Sequence, residues 1–207
     1  MLKIMKKIEK IMLIIMMLVG SQQLIASKFL IKLDNKGIVD SINVPQNAVV
    51  EDSTYPSCKA GQPMVTRSQL DNLITSGGDI ENICVSEITD MSLLFKGKTV
   101  YFDITKWDVS NVTTMYQMFR GTTFNQDISK WNVSKVENMD YLFYSTKFNY
   151  DIGDWDVSSV KSMNKLFLNN QFFDQNISGW NVDNVLSYQD IFTNTVIKQE
   201  NKPIKFR

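Results

Sequence analysis

Hydrophobic residues recur along most of this chain at a fixed interval of about 24 residues. Tryptophans lie at positions 107, 131, 155 and 180, and phenylalanines lie at 95, 119, 143, 167 and 192. The unit at 127–143 has the sequence DISKWNVSKVENMDYLF, and closely related sequences occupy 103–119, 151–167 and 176–192. A fifth unit at 79–95 has Ile83 in the tryptophan position. Self-similarity at a period of this length is typical of a repeat solenoid, so we expect five repeats over residues 79–195.

Each repeat is predicted to combine a short helix with a short extended segment. One position of the repeat holds residues that cap helix N-termini well, namely Ser86, Ser110, Ser134, Ser158 and Asp183. After Ser110, the apolar residues Val112, Met115, Met118 and Phe119 have helical spacing, which predicts a helix of about nine residues. The other half of the repeat predicts an extended segment around residues 131–133. The expected fold class is an α/β repeat solenoid, leucine-rich-repeat-like, with five coils of about 24 residues.

The most regular apolar positions are expected to form the core, because each repeat buries them only against its neighbours. They are Ile104, Ile128, Ile152 and Ile177; Trp107, Trp131, Trp155 and Trp180; Val109, Val133, Val157 and Val182; Val112, Val136, Val160 and Val185; and Phe119, Phe143, Phe167 and Phe192. A row of tryptophans at constant spacing indicates packing rather than a cofactor site. We expect Met115, Met139 and Met163 to join this core.

Three segments flank the repeats. Residues 66–78 are predicted to form an N-terminal capping helix, because Thr66-Arg67-Ser68-Gln69 fits a capping box and glycines follow the apolar stripe. Residues 27–65 form an N-terminal extension, in which the alternation and turn residues of 28–44 predict a possible hairpin. Residues 196–207 are predicted to form a polar basic tail.

The first 26 residues have the pattern of an export signal. Four lysines in the first ten residues precede an unbroken apolar run over residues 11–19, as in secretory signal peptides. That run is much shorter than the ~20 residues that span a bilayer, so we expect no transmembrane span in the mature chain. Cleavage after Ala26 or at the rival site around Ser21 would produce a protein of the cell surface or extracellular space, with the periplasm as alternative. An uncleaved amphipathic anchor is the competing interpretation.

The two cysteines of the chain are predicted to form a disulfide. Cys84 occupies a position in the first repeat where later repeats have Asp or Asn, and Cys58 lies in the segment before the capping helix. In an exported protein these residues meet an oxidising compartment. A Cys58–Cys84 bond would close a loop of about 27 residues and stabilise the fold by roughly 3 kcal/mol. Two reduced thiols are the alternative.

Composition and charge exclude several classes of function. The 207 residues contain 22 basic and 22 acidic side chains and no histidine. Without residues 1–26, which hold four lysines and one glutamate, 18 basic and 21 acidic residues remain, a net charge of −3. A nucleic-acid binder needs a basic face, so nucleic acid is not expected as a partner. Two cysteines without histidine cannot make a structural zinc site, and we expect neither a metal nor a cofactor.

The repeat string W-[DN]-V-S-x-V-x-x-M-x-x-[ML]-F, preceded by F-N-x-D-I-S as in residues 124–129, closely resembles the BspA-like leucine-rich-repeat surface proteins. The similarity covers residues 66–192. The resemblance implies an exported or surface-displayed protein that acts in adhesion to host matrix, host cells or other microbes, with a protein or glycan as partner. It brings no catalytic residues. A periplasmic or cell-envelope structural scaffold without a host ligand is the alternative.

Acidic residues raise two chemical alternatives that the repeat itself weakens. Asp151, Asp154 and Asp156 could bind calcium, which prefers oxygen ligands. Two of these positions recur as Asp or Asn in neighbouring repeats, which favours hydrogen bonds inside turns. A carboxylate pair for glycoside hydrolysis is conceivable, but nothing distinguishes one pair from the repeated acids. We therefore expect no enzyme activity.

Recognition is expected where the repeats differ from one another, because the repeat-invariant positions belong to the core. Four aromatic residues occupy positions that otherwise hold mostly polar side chains: Tyr116, Tyr141, Tyr144 and Tyr150. Exposed tyrosine is a favoured residue type at binding hot spots. These tyrosines are the candidate binding residues, and incidental packing on the surface of neighbouring repeats is the competing explanation.

Overall fold

The computed structural model describes residues 30–33, 39–43 and 56–207. The chain divides into two compact units, Met1–Thr54 and Tyr55–Arg207. The predicted export signal at residues 1–26 lies outside the described residues, and so do the turn residues of the predicted hairpin.

The first unit contains a two-stranded antiparallel sheet. Strand β1 (Leu30–Leu33) pairs with strand β2 (Val39–Asn43). Leu30 lies opposite Asn43, and the register shifts between Lys32 and Leu33. The alternating apolar residues of the segment are typical of such a pairing.

The second unit begins with the only α-helix in the described part of the chain, α1 (Arg67–Ser76). Its start is fixed by a capping box, in which Thr66 Oγ1 accepts from the Gln69 amide and the Gln69 side chain accepts from the Thr66 amide. Its end is fixed by Gly77, whose left-handed φ of 72° suits a residue without Cβ. Leu70 is fully buried and anchors the helix to the core of the repeats.

The predicted disulfide is confirmed. Cys58 and Cys84 are bonded, with a Cα–Cα distance of 5.3 Å. The same segment also pairs with the first repeat through a parallel bridge between Met64 and Cys84. Covalent and backbone contacts therefore hold the segment before α1 against the first repeat.

The expectation of an α/β repeat solenoid is wrong. Residues 79–195 contain neither a helix nor a strand, and each repeat is a succession of turns. Neighbouring repeats are paired in parallel at one residue each, along the row Asp90, Thr114, Asn138, Ser162 and Ser187. Residues 131–133, which were predicted to be extended, form no strand and lie between two turns. The parallel row lies elsewhere, in the half of the repeat predicted to be helical.

Left-handed residues explain why no helix forms after Ser110. Gln117 has a φ of 56° and Gly121 a φ of 69°, and the equivalent positions of the other repeats are also left-handed. A right-handed helix cannot continue through such residues. The backbone amides instead donate to the next repeat, as Gln117 does to the Asp140 carbonyl at 2.9 Å. The apolar residues thus reach the core at the predicted positions without helical geometry.

The predicted core is confirmed. The isoleucine, tryptophan and valine positions are buried in every repeat where they occur, and of the phenylalanines only Phe192 is half-buried. Each tryptophan also donates its indole N–H to an isoleucine carbonyl of the preceding repeat. These bonds run from Trp107 to Ile80, Trp131 to Ile104, Trp155 to Ile128 and Trp180 to Ile152, at 2.8–3.3 Å. A single residue therefore fills the core and satisfies a buried carbonyl in the adjacent repeat.

The last ten residues pack against the final repeat. They form two short 3-10 helices, Gln199–Asn201 and Ile204–Phe206. Lys205 Nζ donates to the carbonyls of Val182, Asp183 and Val185 at 2.8–3.1 Å. The Phe206 ring lies 5.1 Å from that of Tyr188. This segment thus covers part of the last repeat.

Candidate binding surface

The repeated acidic residues serve the turns of the backbone. Asp103 Oδ1 accepts from the Thr105 amide and hydroxyl, and Asp156 Oδ1 accepts from the Ser158 amide. Asp151, one of the candidate calcium ligands, accepts from the Gly153 amide at 2.9 Å. These are Asx turns, in which a side-chain oxygen replaces a backbone carbonyl. Within the described ranges, no group of three or more acidic or cysteine side chains is arranged to hold a metal ion.

These turn hydrogen bonds stabilise the charged form of the carboxylates. The hydrogen bond from the Thr105 side chain lowers the pKa of Asp103, with a further contribution from the Thr105 amide. The Ser158 side chain and amide lower the pKa of Asp156 in the same way. A carboxyl with a depressed pKa stabilises the folded state above the unfolded-state value of 3.8, and this contribution is lost as the pH falls through the folded-state pKa.

We expect Asp103→Asn and Asp156→Asn to flatten the loss of stability at acidic pH. Asparagine occupies the equivalent positions in other repeats, where Asn176 and Asn132 accept the same amide hydrogen bonds at 3.0 and 3.1 Å. The variants should therefore melt within about 2 °C of the wild type at pH 7 and fall less steeply below about pH 4. Thermal unfolding followed by circular dichroism between pH 7 and pH 2.5 measures both effects. Parallel curves for variant and wild type would show that these carboxylates do not couple to folding.

Three of the four candidate tyrosines lie together on the surface. The ring centroids of Tyr116 and Tyr141 are 6.1 Å apart in an edge-to-face arrangement, and those of Tyr141 and Tyr144 are 5.9 Å apart. All three side chains are half-buried. Tyr150 is more exposed and packs against Phe148 instead. The structure therefore assembles a tyrosine cluster from two adjacent repeats and leaves the fourth candidate outside it.

Two cations complete this cluster. The Arg120 guanidinium lies over the rings of Tyr141 and Tyr144, 5.5 and 4.9 Å from their centroids. Lys165 Nζ lies 5.5 Å from the centroid of Tyr141. Such contacts are attractive because the face of an aromatic ring is negative. Among the described residues, neither Arg120 nor Lys165 forms a salt bridge.

A side-chain hydrogen-bond chain orients the arginine. The buried Gln117 side chain accepts from Arg120 Nη1 at 3.0 Å and donates to the Tyr116 hydroxyl. Gln117 thereby links the first tyrosine to the guanidinium, which fixes the direction of its remaining N–H donors. We define the tyrosine–cation surface as Tyr116, Tyr141, Tyr144, Arg120 and Lys165.

The acidic residue beside Tyr141 in sequence is hydrogen-bonded to the following repeat. Asp140 lies next to Tyr141 in sequence, and its carboxylate accepts from Ser162 Oγ and from the Asn164 amide, both at 2.6 Å. These bonds point its charge toward neighbouring polar groups of the following repeat. Arg120 and Lys165 therefore keep N–H groups that donate to no described side chain.

The sequence did not identify Arg120, Lys165 or Gln117, because each falls at a variable position where charged and polar residues are ordinary. Tyr101 was also missed, although its side chain is 82% exposed. Its only signal was an aromatic residue at a position held by Asn125 in the next repeat. The contacts of these residues depend on which repeats become neighbours, and one-dimensional spacing does not show them.

Comparisons with known proteins add one result. The family model described as "Mycoplasma protein of unknown function, DUF285" matches residues 66–147 and 144–205. No curated protein and no solved structure matches the chain. Over the described ranges, none of the helices has the length and apolar character that crossing a membrane requires.

Proposed function

Because this chain belongs to the DUF285 family of Mycoplasma proteins of unknown function, we propose that it is an exported surface protein whose repeats bind macromolecules without catalysis. Its role is adhesion to host matrix, host cells or other microbes. The narrower resemblance of its repeat string to BspA-like surface proteins and the signal-like residues 1–26 both support this proposal.

The observation that carries the proposal is the tyrosine–cation surface. Tyrosine and arginine are the residue types most enriched at binding hot spots, because they bring large contact area and hydrogen bonds together. Here Tyr141 and Tyr144 are packed under Arg120, which is held by Gln117. The side chains are ordered before binding, so a partner loses little conformational entropy when it docks. Their free donors favour a partner with anionic or carbonyl groups.

Two of the repeated carboxylates favour a binding role over a catalytic one. The repeated carboxylates are hydrogen-bonded in turns, as Asp103 and Asp156 are. A general acid or base needs a carboxyl with its pKa raised toward the working pH, whereas the pKa values of Asp103 and Asp156 are lowered.

Surface exposure is tested by treating intact cells with protease and probing for this protein beside a cytoplasmic control. Degradation of this protein while the control survives is expected. Protection in intact cells, followed by degradation after lysis, would overturn the surface assignment, confine the protein to the periplasm or cytoplasm, and favour the structural scaffold.

We expect the double variant Arg120→Ala/Tyr141→Ala to weaken binding of the purified protein to cultured epithelial cells or to immobilised fibronectin. Truncation of hot-spot residues costs about 2 kcal/mol or more, which corresponds to about a 30-fold rise in Kd. Surface plasmon resonance and a cell-binding assay measure the effect.

Tyr150→Ala is the matched control, because Tyr150 is a surface tyrosine outside the cluster. Arg120→Lys keeps the charge but loses the planar fork, so it should fall between wild type and the double variant. Equal binding by the double variant and the control would exclude this surface as the recognition site.

A further inference from the structure

Neighbouring repeats are joined by a regular row of backbone hydrogen bonds. At each of the four junctions, four amides at alternate residues donate to four carbonyls of the following repeat, at 2.7–3.2 Å. At the last junction the donors are Met163, Lys165, Phe167 and Asn169, and the acceptors are Ser187, Gln189, Ile191 and Thr193. In this row every repeat presents four carbonyls toward its predecessor and four amides toward its successor, while one carbonyl per repeat, such as that of Thr113, accepts from the successor.

The carbonyl end of this row is covered by the chain itself. Arg67 of helix α1 donates from Nη1 to the Asp90 carbonyl at 2.7 Å and from Nη2 to the Ser92 carbonyl at 2.8 Å. Lys98 Nζ approaches the Leu94 carbonyl at 3.5 Å. The first repeat therefore has cationic side chains where a preceding repeat would have backbone amides.

At the amide end, tail side chains contact two residues of the last repeat, since the Phe206 ring lies 5.1 Å from that of Tyr188 and 6.4 Å from that of Phe192, but no described side chain replaces a following repeat as hydrogen-bond acceptor. The corresponding amides of the last repeat belong to Tyr188, Asp190, Phe192 and Asn194, and none of them finds an acceptor among the residues that the structure describes. Tyr188, Asp190 and Asn194 are exposed. Lys205 donates to the carbonyls of Val182, Asp183 and Val185 in the other half of this repeat, and its Nζ also lies 5.9 Å from the centroid of the Tyr188 ring. We call residues 186–196 the C-terminal edge.

We propose that the C-terminal edge is a docking site for a polypeptide segment of another protein, which adds to the row through backbone carbonyls at alternate positions. An exposed row of amides is a ready template for such pairing. The four junctions inside the molecule show that peptide carbonyls fit this row. This site is separate from the tyrosine–cation surface and does not depend on the adhesive role.

Hydrogen-bond complementarity disfavours a second copy of the chain as occupant. The four amides of one C-terminal edge find no matching row of four carbonyls on a second C-terminal edge, so two copies cannot form the junction seen between repeats. The complementary carbonyl edge of a second copy is covered by Arg67, which is held by α1. A segment from a different protein meets neither obstacle.

Exposed apolar side chains define the chemistry of the segment. Leu186 is 82% exposed, and Val196 and Tyr188 at the same edge are 55% and 43% exposed. Exposed apolar side chains at an edge with free amide donors are typical of a site where a segment docks. The occupant is therefore an extended or turn-rich segment with apolar side chains interspersed along it.

The test uses the full chain and a capped synthetic peptide with the sequence of residues 110–123, which supplies the carbonyl row of the second repeat. The probe is added to 15N-labelled protein, and amide resonances are followed by NMR. The amides of residues 188, 190, 192 and 194 should shift and become slower in hydrogen exchange. Shifts spread over the whole surface, equal shifts with a scrambled peptide, or no shifts at millimolar peptide would overturn the proposal.

Tyr188→Pro and Tyr188→Ala form a matched pair. Both lose the ring contact with Phe206, but only proline removes the amide donor. We expect Tyr188→Pro to bind the peptide about 5–10-fold more weakly than Tyr188→Ala, as the loss of one hydrogen bond predicts. Equal affinities in two variants with equal melting temperatures would contradict the proposal.

Two further measurements separate the alternatives. Analytical ultracentrifugation of the full chain should show a monomer, and a dimer with these four amides protected would identify a second copy as the occupant and overturn the proposal. Arg120→Ala/Tyr141→Ala should bind the peptide as the wild type does. Loss of adhesion in that variant with unchanged peptide binding would distinguish the two sites.

Discussion

Replacing Trp131 with alanine should lower the free energy of unfolding by about 3–5 kcal/mol, the range for truncation of a large buried aromatic residue. The Trp131 side chain is 1% exposed and lies in the middle of the five repeats. Its ring is 6.3 Å from that of Phe119 in the preceding repeat. The substitution leaves a cavity between repeats and removes the donor to the Ile104 carbonyl. Urea unfolding followed by circular dichroism and tryptophan fluorescence measures the loss.

Two further variants separate the contributions to this loss of stability. One isolates the indole hydrogen bond, and the other compares a central repeat with the last repeat. Trp131→Phe keeps most of the packing but removes the indole donor to the Ile104 carbonyl, which still accepts from the Trp107 amide at 3.1 Å, so the cost should be about 0.5–1.5 kcal/mol. Trp180→Ala removes the equivalent residue of the last repeat, where the short C-terminal segment packs in place of a sixth repeat, and should cost less than Trp131→Ala. Equal stability of Trp131→Ala and wild type would show that the repeats do not depend on the tryptophan row.

Removing the disulfide by Cys58→Ser should lower the free energy of unfolding by about 3–4 kcal/mol in the chain-entropy description. The bond joins residues 26 positions apart and restricts the unfolded chain. Cys58 is the residue to change, because Cys84 is almost fully buried in the first repeat. Denaturant unfolding of wild type and variant under oxidising conditions gives the difference.

Reduction of the wild-type protein provides the control for that substitution. Wild type with reductant should match Cys58→Ser, while the reductant should leave Cys58→Ser itself unchanged. The Met64–Cys84 backbone bridge remains in both cases, so the segment before α1 should loosen before the repeats unfold. Wild type that is equally stable with and without reductant would contradict the prediction.

The core could be predicted from the sequence because the buried positions recur with the same period as the repeats. Ile128, Trp131 and Val133 recur at one spacing, and their counterparts are buried in each later repeat. The repeat pattern identifies such positions regardless of the backbone conformation between them. The disulfide was predictable for a related reason, since Cys84 replaced a turn residue in an otherwise regular position.

The secondary structure could not be predicted in the same way. The apolar spacing after Ser110 fits a helix, but it also fits turns whose amides donate to a neighbouring repeat. Left-handed residues such as Gln117 and Tyr141 are not glycine, and only contacts with the next repeat hold them in that conformation. The local spacing of apolar residues therefore favoured a helix, whereas the backbone hydrogen bonds between repeats stabilise turns instead.

The candidate binding site could be predicted only in part, because some of its residues come together only when the repeats are stacked. The variable tyrosines were visible in the sequence, and three of the four lie together. Arg120 and Lys165 joined them only because side chains from successive repeats lie about 6 Å apart once stacked. The exposed C-terminal edge likewise depends on the direction of the backbone amides, which no residue type encodes.

The sequence by itself determined the repeat length, the buried positions and the cysteine pair, because these follow from side-chain chemistry at fixed spacing. The tertiary structure decided that turns replace helices, that Arg120 lies over two tyrosines, and that Arg67 occupies the carbonyl end of the row while the amides at the other end find no acceptor among the described residues. Those features arise from hydrogen bonds and contacts between residues more than 20 positions apart. A short window of sequence does not contain both partners of such a contact. The contact stabilises the fold only when the repeats are stacked.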